Sequence, residues 1–331
     1  MDSSVGTSSL TFAAVQRAGE VVAATLATTP LVSHPVLDRS VGRRLLVKHE
    51  HVLPTGSFKV RGGVHLAATL TDVERRVGLV TTSTGNHAQS VAFAARAAGV
   101  PATVVMPQCA PAVKRDAVEA LGARVIVHGD GLGEAAAHAR SLATEGGYID
   151  PTDPRIILGH ATAYLELFTQ ASGLGAVYVP IGSGTGAVGA CVVRDALAPS
   201  CAVIGVQSSS APAGWRSWLS GRIETAPAAT RASGLATTSG YAATLATLWA
   251  GLADFLLVTD DEIDGAARLL ATRAGTLAEG AGAAALAGVV AAAEPAADGD
   301  LPVADGELPV AVMCTGGNAS ADEIARLAAA A

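Results

Sequence analysis

Short β-branched runs alternate with alanine-rich stretches of helical period along this chain, and that alternation restricts its fold more than any other feature. The runs predicted as strands cover 45–48, 79–82, 102–106, 124–127, 177–179, 203–207, 255–259 and 310–314. Helical patterns such as 87–98, 110–121, 132–145, 187–197, 260–272 and 282–293 fall between them. A strand followed by a helix of about 10–15 residues, repeated, implies parallel sheets with helices on both faces, because parallel strands need a long crossover. The expected fold class is α/β. Thr259-Asp260-Asp261-Glu262 reads as an N-cap with an acidic first turn.

At 331 residues the chain has room for about two domains of roughly 150 residues each. Hydrophobic residues at 50% against 15% charged supply a packed core and exclude a disordered chain. Only 4% are aromatic, so Ala, Val and Leu must fill that core at close backbone distances. A formal charge of −7 offers no attraction to nucleic acid. Cys109, Cys191, Cys201 and Cys314 lack C-x-x-C spacing and read as reduced, packed thiols of a cytoplasmic protein. No basic segment precedes an apolar run at the N-terminus, so no signal peptide is expected. The uncharged stretch 173–193 is long enough to span a bilayer, but Pro180 and six glycines mark it as buried strand, loop and helix. No membrane partner is expected. The stretch 294–309 reads as a loose loop.

Ligands of open parallel sheets sit at the carboxyl ends of the strands, and four unusual loops fall at such ends or lead into helices. The chain has only three lysines, and one, Lys59 in PTGSFKVRGG (54–63), is wedged between Phe58 and Val60. Thr55 or Ser57 is placed to cap a helix with Lys59 in its first turn. There the helix dipole and apolar neighbours favour the neutral amine, the form a nucleophilic or Schiff-base lysine needs; a surface lysine is the plain alternative. STGNHAQS (83–90) offers hydroxyls and helix-start N–H groups to a carboxylate or phosphate, and is equally an ordinary capped turn. PIGSGTGAVGA (180–190) contains G-x-G-x-x-G at Gly184, Gly186 and Gly189, but the following strand ends on Gln207 where a ribose-binding carboxylate would stand. A single phosphate monoester suits that loop better than a dinucleotide. CTGGN (314–318) sets the hydroxyl of Thr315 at a strand end, or is a tight turn. A Schiff-base lysine, a phosphate cup, a carboxylate loop and a hydroxyl together are what pyridoxal 5′-phosphate acting on an amino acid requires.

The ordered set TTPL (28–31), PTGSFKVRGG, STGNHAQS, GSGTG (182–186), EGAGAAAL (279–286) and CTGGN resembles the fold-type II pyridoxal-phosphate enzymes of the serine/threonine dehydratase and serine racemase group, over nearly the whole chain. The resemblance implies two open, mostly parallel twisted sheets flanked by helices, as in the tryptophan synthase β-subunit. It implies a large cofactor-binding domain (1–78 and 157–331) and a small mobile domain (79–156) that closes over an amino-acid substrate. Lys59 then looks like the lysine that forms the Schiff base and serves as general base, with Phe58 packed beside the cofactor ring. Asn86 would bond the ring's 3′-oxygen. Gly182, Ser183, Gly184, Thr185 and Gly186 would hold the phosphate, Thr315 would face the pyridine nitrogen, and Glu279 would lie near the ring. Ser83, Thr84, Gly85 and His87 match the loop that takes the substrate carboxylate. The implied reaction is β-elimination (dehydratase, ammonia-lyase) from a β-hydroxy amino acid such as L-threonine or L-serine, giving a 2-oxo acid and ammonia. The resemblance also implies a homodimer.

The chain departs from that family at several points. Racemase-type relatives bind a divalent cation with acidic residues after the strand that here ends at Gln207; this chain has Gln207, Ala211 and Ala213 there, so no metal is expected. Thr84 replaces the racemases' serine opposite the lysine and is the second catalytic candidate, which disfavours racemisation without excluding it. The family's Gly-Gln-Gly-Thr segment reads Gly159-His160-Ala161-Thr162, altering the pocket wall or its packing. Ser233 replaces an acidic residue, and Trp215, Trp218 and Trp249 all fall in the divergent stretch 208–251, as core or as pocket wall. Racemisation, β-replacement in a specialised pathway and a non-catalytic cofactor-binding role are the alternatives. His49 and His51 at strand spacing read as packing or solvent positions rather than a metal pair. No regulatory domain is expected after Ala331.

Overall fold

The computed structural model describes residues 10–110, 112–143, 147–293 and 308–329. Of the loop expected at 294–309, only Leu308 and Pro309 lie among them. The strands are β1 (Leu31–Ser33), β2 (Leu45–His49), β3 (Leu79–Thr82), β4 (Ala102–Met106), β5 (Arg124–Val127), β6 (Ala176–Pro180), β7 (Ala202–Ser208), β8 (Asp254–Val258) and β9 (Val310–Cys314). They form a six-stranded sheet in the order β1-β2-β9-β6-β7-β8 and a three-stranded sheet in the order β3-β4-β5. All eight strands read from the sequence form, with ends within one residue. β1 is the addition, a three-residue edge strand antiparallel to β2 that pairs Leu31 with Lys48. Three residues behind a proline carry no periodic signal.

Alternation along the strands divides the large core in two. Leu45, Val47, Tyr178, Val310 and Val312 face one side, with the helices Asp260–Ala274 and Gly280–Ala292. Val177, Val179, Val203, Ala311 and Met313 face the other, with Pro154–Gln170 and Thr185–Leu197. Residues 280–289 are all buried, so that helix is apolar around its whole circumference, as expected of one sunk in a core. A Cβ at Gly282 would strike the Gly316 carbonyl, which shows how closely the helix lies on the chain leaving β9. The smaller sheet packs Leu79, Val104 and Met106 against Ala88, Val91, Ala92 and Ala95 of the helix Asn86–Ala98. Thr259 caps its helix in a capping box with Glu262, as its sequence predicts.

Candidate active site

The four loops singled out in the sequence follow β2, β3, β6 and β9, and they meet around a cavity of about 580 Å³. Lys59 is the first residue of the helix Lys59–Ala68. Neither Thr55 nor Ser57 caps that helix: its N-cap is Phe58, without a side-chain bond, and both hydroxyls are buried without partners. Tertiary contacts hold the turn instead. Ser57 bridges to Gly316, and the Phe58 N–H donates to the Thr315 carbonyl at 2.9 Å. Burial lowers the Lys59 amine to about 8, against an opposing pull from Glu279. Its Nζ lies 3.3 Å from Thr185 Oγ1 and 4.7 Å from the centre of the Phe58 ring.

The glycine loop leads β6 into the helix Thr185–Leu197, whose N-cap is Gly184 in the left-handed region at φ 83°. No side chain caps this 13-residue helix, so its first-turn N–H groups are available to an anion at the cavity wall. A Cβ at Gly182 would come within 2.6 Å of the Gly234 carbonyl. Asn86 opens the helix after β3 and is held from two sides. Its Nδ2 donates to Glu279 Oε1 at 2.6 Å, and its Oδ1 accepts from Asn318 Nδ2 at 2.8 Å. Asn318 also donates to the Thr55 carbonyl at 2.8 Å, tying the β9 loop to the lysine loop. Burial raises the Glu279 carboxyl, partly offset by the Asn86 hydrogen bond. The Thr315 hydroxyl donates to the Ala281 carbonyl at 3.2 Å. His87 turns its Nε2 to Thr81 Oγ1 at 3.1 Å, and burial followed by the nearby Lys59 charge lowers its imidazole to about 4.

Every site residue expected from the sequence lines this one cavity: Phe58, Lys59, Ser83 to His87, Gly182 to Gly186, Glu279 and Thr315. Residues without a motif join them. Lys114 donates to Ser233 Oγ at 2.8 Å, and Arg140 pairs with Asp150 at 3.6 Å and stacks over Tyr148. Ser233 to Thr238 and Tyr241 complete the wall, so the divergent stretch does shape the pocket. Its tryptophans do not: Trp215 and Trp218 pack on the large core, and Trp249 is 64% exposed. Gln207 commits its amide to the Ile181 carbonyl and the Trp215 N–H. Cys191, Cys201 and Cys314 are free and buried, but Cys109 is exposed on the turn after β4, against the expectation of four packed thiols. The chain leaves β2 after His49, so His51 lies in a short 3₁₀ turn rather than at strand spacing. The rings of His49 and His51 touch edge to face, and no metal-binding trio occurs among the described residues.

Residues 22–303 match the pyridoxal-phosphate dependent enzyme family. The chain belongs to that family. It is 36% identical over 259 residues to an L-threonine ammonia-lyase of Thermotoga maritima, covering 76% of this chain and 64% of that relative's length. It is 33% identical to an L-threo-3-hydroxyaspartate ammonia-lyase of Saccharomyces cerevisiae, covering 76% of this chain and 78% of the relative. Among solved structures it resembles a T.th. threonine deaminase, with a TM-score of 0.84 at 35% identity, over 94% of this chain and 99% of the other. The residues present fit the family's cofactor. A buried amine of lowered pKa faces an uncapped helix start built on glycine, where a side chain at Gly182 or Gly184 would collide with its surroundings. Lys59, Asn86, the 182–186 loop and Thr315 all line the cavity and would be the groups to hold it.

Proposed function

We propose that this chain catalyses β-elimination from a β-hydroxy amino acid, with Lys59 moving the α-proton. The observation that carries the reading is the amine of Lys59, lowered to about 8 by burial and set in one cavity with the glycine loop and the 83–87 loop. When bound, pyridoxal phosphate supplies the electron sink that acidifies the α-C–H bond. Ser83, Thr84 and the N–H groups opening the helix Asn86–Ala98 bind the substrate carboxylate. Lys59, with a substantial neutral fraction near pH 8, then takes the α-proton. Loss of the β-hydroxyl as water, followed by hydrolysis, leaves a 2-oxo acid and ammonia. The body built on β3–β5, residues 79–156, is read as the mobile domain that closes over substrate and excludes water.

Lys114 and Arg140 favour a refinement of the substrate. Two cations line the cavity with Asp150, and Lys114 has a hydroxyl rather than a carboxylate as its partner. A β-hydroxy amino acid with an acidic side chain, such as the substrate named for the yeast relative, suits that wall better than threonine. Free buried thiols support a reducing, cytoplasmic setting, and among the described residues no helix is long and apolar enough to cross a membrane. The assembly is read as a homodimer, which sedimentation tests. Purified protein loaded with cofactor should absorb in the visible, and Lys59→Ala should abolish both that band and turnover. A panel of L- and D-amino acids should release ammonia and a 2-oxo acid. Chiral inversion without ammonia would establish a racemase instead, and no turnover of any single amino acid would sink the lyase reading.

A further inference from the structure

We propose that His160 is a positioning residue for Lys59, acting through the hydroxyl of Thr185. The inference rests on the reading of Lys59 as the proton-transferring base. His160 lies on the helix Pro154–Gln170, is 0% exposed and does not line the cavity. Its ring packs 4.7 Å from that of Phe58, and its Nδ1 is 3.0 Å from Thr185 Oγ1. Lys59 Nζ approaches the same oxygen at 3.3 Å. In the arrangement that serves a charged Lys59, the lysine donates to Thr185 and Thr185 donates to His160 Nδ1, which places the imidazole proton on Nε2. That Nε2 is buried and faces Gly62 on the helix that begins at Lys59, so the line has no exit to solvent. It orients rather than conducts.

Burial, and then the nearby Lys59 charge, keep His160 neutral and well below its ordinary value against the pull of a hydrogen bond with the Lys59 backbone, so its Nδ1 is free to act as an acceptor. The other titratable groups around Lys59 are Glu279, which favours the ammonium, and His87, which burial and the same lysine hold neutral; Arg61 adds its charge on the Lys59 helix. With its hydrogen committed to His160, Thr185 can offer Lys59 only lone pairs, and these stabilise the ammonium formed once Lys59 has taken a proton. Without His160 the hydroxyl is free to donate to the neutral amine instead. Both changes lower the proton affinity of Lys59.

The test follows Lys59 itself. Acylation of Lys59 in the full chain is measured against pH by mass spectrometry, before and after cofactor loading, alongside the pH profile of turnover. In the cofactor-free chain, His160→Phe should move the midpoint of Lys59 reactivity down by about half a pH unit, the scale of one neutral hydrogen bond. His160→Gln, which keeps an acceptor, should restore it. On a Thr185→Val background the His160 substitution should add nothing. His160→Met serves equally if the phenylalanine variant does not fold. An unmoved midpoint in a folded His160→Phe or His160→Met protein overturns the proposal, as does an equal shift on the Thr185→Val background. A shifted midpoint in a chain that turns over no amino acid would support the positioning role while refuting the lyase reading.

Discussion

Replacing Arg61 by methionine should unfasten the helix that carries Lys59. Arg61 is fully buried two residues beyond the lysine. Its Nε and Nη2 reach Glu50 at 2.6 and 2.8 Å, and its Nη1 and Nη2 reach Glu166 at 2.7 and 2.9 Å. Lys48 completes the group, bonding Glu166 at 2.8 Å, Gln170 at 2.7 Å and the Thr29 carbonyl at 2.9 Å. Two acids and two bases balance in an interior that admits no water to either Glu50 or Arg61, whose side chains are both 0% exposed. Arg61→Met leaves Glu50 with the Thr29 hydroxyl, 2.6 Å away, in place of a bidentate cation. Stranding one member of a buried pair costs about 3–5 kcal/mol, and a loss of that size lowers the melting temperature of a protein this large by roughly 4–7 °C. Thermal and urea unfolding followed by circular dichroism read the change. Because the cost comes from an unpaired charge, Glu50→Gln combined with Arg61→Met should be more stable than Arg61→Met alone. A single variant within about 0.5 kcal/mol of wild type, the range of an ordinary surface substitution, or a double variant no better than the single, would refute this account.

Asn318→Ala removes the donor that holds Asn86 Oδ1, so the cofactor dissociation constant should rise about fivefold, the worth of one hydrogen bond. Titration of the visible band checks it, and an unchanged constant would show that Asn86 is oriented without Asn318. Acid should destabilise the fold through Glu166 and Glu74. Burial pushes both carboxyls up, but Arg61 and Lys48 around Glu166, and Arg155 and Thr71 around Glu74, more than offset it and leave both below their ordinary value of 4.5. A depressed carboxyl contributes stability that is present above its unfolded value and lost as pH falls through its folded one. The melting temperature should therefore hold near neutrality and fall progressively below about pH 5. The fall should be shallower in Glu166→Gln, whose remaining partners no longer depend on that ionisation.

The loops were legible because each has a chemical reason to be unusual. Glycine at 182, 184 and 186 marks close backbone approach, and a lone lysine between Phe58 and Val60 marks an amine kept from water. Lys114, Arg140, Tyr148, Asp150 and Tyr241 sit in ordinary helix, strand-edge and loop positions, where no local pattern separates a cavity wall from a solvated face. Asn318 lay inside a recognised motif, yet its work of orienting Asn86 depends on a contact across 232 residues. Thr55 and Ser57 mislead in the opposite direction. Both are good capping residues, and the pairing of Ser57 with Gly316 overrides that propensity.

The sequence by itself determined every strand but β1, the parallel arrangement of those strands and the four loops at their ends, because hydrophobic period and glycine placement are local properties of the chain. Only the tertiary structure decided what those loops share. Strand order brings β2, β9 and β6 side by side, which sets the loops after them within hydrogen-bond reach of one another. Burial at that junction lowers the amine of Lys59, and packing places His160 against the hydroxyl that Lys59 touches. Proton affinity depends on solvent exclusion and neighbouring charge, and both belong to the assembled fold.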